Sequence, residues 1–179
     1  GDRHFVTRNG SSIIAFVVGS ESLANSGMRI AGAHTDSPCL MVKPQPEINQ
    51  LGYFQLGVEV YGGALLNPWF DRDLSIAGRL VYRDADQQLK QTAVDFKKPV
   101  AMIPSLAIHL DREANSGRTV NAQKHIPQVL MLAPQADAKT DFRALLAEKF
   151  LPAKSEVLDF ELCFYDTQPA AMVGLKQEF

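Results

Sequence analysis

From Gln55 onward the hydropathy of this chain alternates residue by residue, and nothing else in the sequence constrains the fold as strongly. Leu56, Val58 and Val60 are separated by Gln55, Gly57, Glu59 and Tyr61. Successive side chains of an extended strand point to opposite faces, so this segment reads as a strand buried on one face and wet on the other. Residues 75–83 continue in the same style, with Ile76, Leu80 and Tyr82 set against Arg79 and Arg83. Asp84-Ala85-Asp86 reads as a hairpin turn and 89–96 as the return strand. Residues 157–165 add a strand with Leu158, Phe160, Leu162 and Phe164 expected on one face. A separate antiparallel, β-rich module is expected from about residue 51.

The chain ahead of this module has a different pattern. Residues 11–18 read Ser-Ser-Ile-Ile-Ala-Phe-Val-Val, and 28–33 are again nearly all apolar. Continuous apolar runs of this length are expected in strands covered on both faces, the usual situation in an α/β fold. Pro44-Gln45-Pro46 is expected to mark the boundary between the two regions. Further on, 100–110 is apolar but carries Pro104, which leaves its type open, and 111–124 reads as a polar loop. Residues 141–151 are the clearest helix. Asp141 can cap it, Phe142, Leu145, Leu146 and Phe150 form one stripe, and Pro152 ends it.

Composition excludes several classes. Of 179 residues, 46% are hydrophobic and 21% charged, and the formal net charge is −2. That is the balance of a soluble domain, with no basic footprint for nucleic acid. No apolar run approaches the ~20 residues that span a bilayer. Cys39 and Cys163 are too few for a disulfide framework and read as small apolar fillers, which fits a reducing, cytoplasmic setting. The chain opens without Met and closes on no recognisable tail, and reads as a piece of a longer protein.

Chemistry concentrates in Ala33-His34-Thr35-Asp36-Ser37-Pro38-Cys39-Leu40. In extended geometry His34 and Asp36 point the same way, and an imidazole beside a carboxylate is half of a metal site, one binding the ion and the other orienting it. Of the other histidines, His109 sits among apolar residues, which fits a core, interface or functional role, and His4 and His125 have no supporting neighbours. Gly62-Gly63 and Trp69-Phe70-Asp71-Arg72-Asp73 join close backbone approach to an aromatic–arginine cluster typical of interfaces. Asp71 and Asp73 are a poor catalytic pair because Arg72 is expected to compete for both. No His-Glu-x-x-His, Gly-x-Ser-x-Gly or phosphate-binding glycine loop occurs.

Three of these stretches, in this order, resemble the signatures of the aspartyl aminopeptidases. They are 33–40 with Lys43-Pro44, then Tyr61-Gly62-Gly63 with 69–74 and Ala77-Gly78-Arg79, then Ile103-Pro104 with Ala107-Ile108-His109-Leu110 and Arg112. The resemblance implies an α/β fold: the N-terminal part of a metallopeptidase catalytic domain with a sandwiched sheet (1–45), an inserted β-rich dimerisation domain (46–165), and a return toward the catalytic domain (166–179). It implies an exopeptidase that removes N-terminal Asp or Glu from peptides by metal-activated water, with two zinc ions per complete site and self-association into a dodecamer. His34 is then a metal ligand and Asp36 a catalytic carboxylate. His109 either contacts substrate in a neighbouring subunit or ligates metal. The remaining ligands and the general base are expected beyond Phe179, so the isolated chain is expected to be inactive. The alternatives are a non-catalytic oligomerisation fragment and an aminopeptidase of the same clan with another specificity. No nucleic-acid or membrane partner is implied.

Overall fold

A computed structural model describes residues 1–133 and 140–179. Among them the chain forms two compact units, Gly1–Asp36 and Ser37–Phe179. It is a mixed α/β chain dominated by sheet, and neither of its two sheets closes into a barrel. No helix among the described residues is long and apolar enough to cross a membrane.

The first unit is a hairpin followed by irregular chain. Strands β1 (Arg3–Arg8) and β2 (Ser12–Val17) pair antiparallel around Asn9-Gly10, both with positive φ, and one short turn of helix, α1 (Leu23–Ser26), follows. Residue 11–18 is a strand region as expected, but it is exposed along its whole length, and 28–33 forms no strand. Both departures have one physical cause. A continuous apolar pattern states what a segment can bury, whereas burial needs a covering layer, and none of the described residues covers this hairpin.

The second unit is a six-stranded, wholly antiparallel sheet. Its strands are β3 (Cys39–Gln50), β4 (Tyr53–Tyr61), β5 (Leu74–Arg83), β6 (Leu89–Asp95), β7 (Gln128–Leu132) and β8 (Glu156–Asp166), in the order β6-β5-β8-β3-β4-β7. The alternation delivers the core: Leu56 and Val58, Ile76 and Leu80, Leu162 and Phe164 are all buried. Helix α2 (Phe142–Phe150) covers it with Phe142 and Leu146, capped by Asp141, whose Oδ1 accepts from the Ala144 amide at 3.1 Å. Leu145, expected in that stripe, is exposed.

Two expectations fail at bulges. Pro44 and Pro46 do not end a segment but lie inside β3, where the register slips between Val42 (opposite Val58) and Glu47 (opposite Leu56). Five steps along β3 match two along β4, so the extra residues bulge out, and a bulge tolerates residues that cannot donate to the ladder. In β8 the pairing jumps from Asp159 (opposite Val81) to Val157 (opposite Tyr82), leaving Leu158 as the unpaired extra residue. The slip puts Val157, 5% exposed, in the core in place of Leu158. Across the same pair of strands, Gly78 has φ +155°, and a Cβ there would lie 2.0 Å from the Glu161 carbonyl oxygen. Only glycine lets β5 approach β8 this closely.

Candidate active-site residues

His34 and Asp36 stand at the end of the first unit, on exposed irregular chain. His34 Nδ1 lies 2.9 Å from the Asp36 carbonyl oxygen and 3.1 Å from Asp36 Oδ1. Both partners are acceptors, so Nδ1 carries the proton and donates, and in the neutral ring the lone pair is on Nε2. This is the arrangement of metal-ligating histidines generally, in which a carboxylate or carbonyl on one ring nitrogen fixes the tautomer and turns the other toward the ion. The residues therefore fit a zinc ligand and its orienting carboxylate. Among the described residues, no group of three or more His, Cys, Asp or Glu side chains is placed to hold a metal by itself.

His109 belongs to the second unit, on an exposed turn closed by the Leu110 amide donating to the Ala107 carbonyl at 2.8 Å. Its neighbours Leu106, Ile108 and Leu110 are 60%, 46% and 75% exposed. It is neither a core nor a strand residue, so its segment, left open by sequence, is a loop that projects apolar side chains. The other histidines have local partners. His4 stacks on Phe16 with ring centroids 5.3 Å apart, and His125 Nδ1 accepts from the Asn121 amide at 3.0 Å.

The acidic cluster resolves differently from its expectation. Arg72 does not bridge Asp71 and Asp73. It reaches across to Asp166 Oδ2 at 3.3 Å and Gln168 Oε1 at 3.1 Å. Asp71 instead takes the Ser105 amide on Oδ1 at 2.8 Å, and the hydrogen bonds from Ser105, then the nearby Arg118, hold its carboxyl below the usual range. The partners are 34 residues apart, and no local pattern announces them. Arg118 was likewise hidden in a segment read only as polar loop. Cys39 and Cys163 are both free and half-buried, and desolvation, with the neighbouring Cys39, pushes the Cys163 thiol up to about 12, consistent with an inert filler.

The chain as a whole matches one family of zinc metalloproteases. The Aminopeptidase I zinc metalloprotease (M18) family model covers residues 1–179, and the chain belongs to that family. It is 58% identical to a probable M18 family aminopeptidase 2 of Azotobacter vinelandii, covering 100% of this chain and 42% of that one. The chain thus spans less than half the length of the curated relatives it matches. Among solved structures it is similar to a chain of the Ape4 and Nbr1 complex, at 36% identity and TM-score 0.84, over 99% of this chain and 37% of that one. It is also similar to the S. cerevesiae mApe1 dodecamer, at 27% identity and TM-score 0.72, over 99% and 40%.

Proposed function

We propose that this chain is the N-terminal part of a zinc-dependent exopeptidase that removes acidic residues, Asp or Glu, from the N-terminus of peptides. The observation that carries the reading is the doubly held His34 ring, which presents Nε2 as a ligand beside a carboxylate, in a chain of the zinc aminopeptidase family. In this reading 1–45 belongs to the catalytic domain, 46–165 is the inserted dimerisation domain and 166–179 returns to the catalytic domain. The projecting apolar loop around His109 supports an intersubunit role for 46–165, and the dodecamer of a relative supports a closed assembly. Two free cysteines support a reducing, cytoplasmic setting.

When bound, zinc supplies Lewis acidity and makes water a nucleophile near neutral pH. The residues of this chain do the rest of their share by position. His34 holds its Nε2 lone pair on one bearing because Asp36 occupies Nδ1. Asp36 also neutralises positive charge that develops on the ring. In this reading His109, on its exposed turn, donates a hydrogen bond to the oxyanion of a substrate held by a neighbouring subunit. Such a donor contributes a factor of about 10²–10³ in turnover.

The test is hydrolysis by the full-length protein of anilides of aspartate, glutamate, leucine and lysine. Preference for the two acidic substrates, abolished by a chelator and restored by zinc, is the expected result. Preference for leucine would assign another specificity of the same clan. The isolated 179-residue chain should cleave none of them.

A further inference from the structure

We infer that Arg118 is a positioning residue that clasps the base of the loop carrying His109, so that the side chain is presented ready-made to the site it serves. The inference rests on the substrate-contacting role proposed above for His109.

The loop 105–111 begins at Ser105 and ends at Asp111, and one guanidinium faces both ends. Arg118 Nη1 donates to Ser105 Oγ at 3.3 Å, and Nε forms an ion pair with Asp111 Oδ2 at 3.6 Å. The Arg118 and Asp111 side chains are only 22% and 24% exposed, so the pair is partly shielded from water and salt. The same guanidinium lies over the Phe70 ring, its carbon 4.1 Å from the centroid. Phe70 is 9% exposed and part of the core, so the clasp is anchored to the rigid body of the domain.

The residue next to Phe70 repeats the grip from the backbone side. Asp71 Oδ1 accepts the Ser105 amide at 2.8 Å, and the Asp71 amide donates to the Ile103 carbonyl at 2.9 Å. Phe70 and Asp71 therefore form a floor on which the first loop residue is pinned, and Arg118 ties the last loop residue to the first. Between the two pinned ends the loop has its own turn at 107–110 and little else, and its apolar side chains face solvent. A loop with fixed ends and an exposed tip is restricted in where it can carry His109. A planar, permanently charged fork suits this task because it meets two separate acceptors in one orientation, which the point charge of lysine does not.

A clasp that acts only through His109 predicts strong non-additivity, which a merely stabilising arginine does not. In the full-length protein, with an aspartyl anilide as substrate, Arg118→Met is expected to lower kcat about tenfold. In a His109→Phe background the same change is expected to alter kcat less than twofold. Oligomer size and melting temperature of the variants are checked alongside, and Ser105→Ala, which removes one hydroxyl and no charge, should show the same pattern with a smaller loss. Equal fold-losses from Arg118→Met and Ser105→Ala in both backgrounds would overturn the clasp while leaving His109 its role. So would full activity of both variants alongside an impaired His109→Phe. An unimpaired His109→Phe would remove the role itself, and the clasp with it.

Discussion

His34 and Asp36 are joined twice across two residues, the imidazole Nδ1 lying 2.9 Å from the Asp36 carbonyl and 3.1 Å from its carboxylate. The carbonyl bond survives removal of the side chain, so the two contributions separate. Asp36→Ala in the full-length protein should lower zinc affinity or turnover about 10–100-fold, the usual loss for an orienting partner. On the proposed zinc-ligand role of His34, His34→Ala should abolish activity. Isothermal titration with zinc and initial rates together check both.

His109→Phe distinguishes the two roles left open by sequence. With an oxyanion donor removed, turnover should fall about 10²-fold while zinc content, measured by metal mass spectrometry, stays at the wild-type stoichiometry. Loss of zinc would make His109 a ligand.

The bulge in β8 makes a prediction opposite to that of simple alternation. Val157→Ala empties a buried position and should cost about 1–3 kcal/mol, whereas Leu158→Ala, at the unpaired residue, should cost less than about 1 kcal/mol. Denaturant unfolding of the two variants reads the difference. An unbroken alternation would reverse their order.

Gly78→Ala places a methyl 2.0 Å from a backbone oxygen of the neighbouring strand at a φ that L-residues rarely adopt. Neither strand can give way without breaking the β5–β8 ladder, so the loss of stability should exceed about 2 kcal/mol, seen as a lowered unfolding midpoint.

The Asp71–Ser105 link should weaken in acid. Hydrogen bonds from Ser105 hold the Asp71 carboxyl below its ordinary value of 3.8 in the folded state. A group with a lowered folded pKa gives its full stabilisation above the ordinary value and loses it as pH falls through the folded one. Protection of the Ser105 amide from hydrogen exchange, corrected for intrinsic rates, should therefore be flat above about pH 5 and drop below it. In Asp71→Asn the acid step should be absent.

Much of the second unit was legible in sequence because its information is local. Alternation names the buried face of β4 and β5, Asp84-Ala85-Asp86 marks the turn of β5 onto β6, and Asp141 and Pro152 bracket α2. The His34–Asp36 pair was legible for the same reason, as a spacing of two, although the strand expected to carry it is irregular chain. What depended on distant partners was not. The bulge at Leu158 follows from the register that β5 imposes, and the prolines of β3 read as a boundary because their tolerance comes from β4 across the slip. Arg72 and Asp71 are neighbours in sequence that take partners 94 and 34 residues away.

By itself the sequence determined the alternating strands β4 and β5, the helix between Asp141 and Pro152 and the pairing of a histidine with a carboxylate two residues on, since propensity, periodicity and short spacing act within a few residues. Only the tertiary structure decided which apolar runs find cover, where registers slip, and that Arg118 joins the two ends of the His109 loop. Those outcomes depend on which surfaces meet, and a guanidinium is committed only when the fold brings acceptors within its reach.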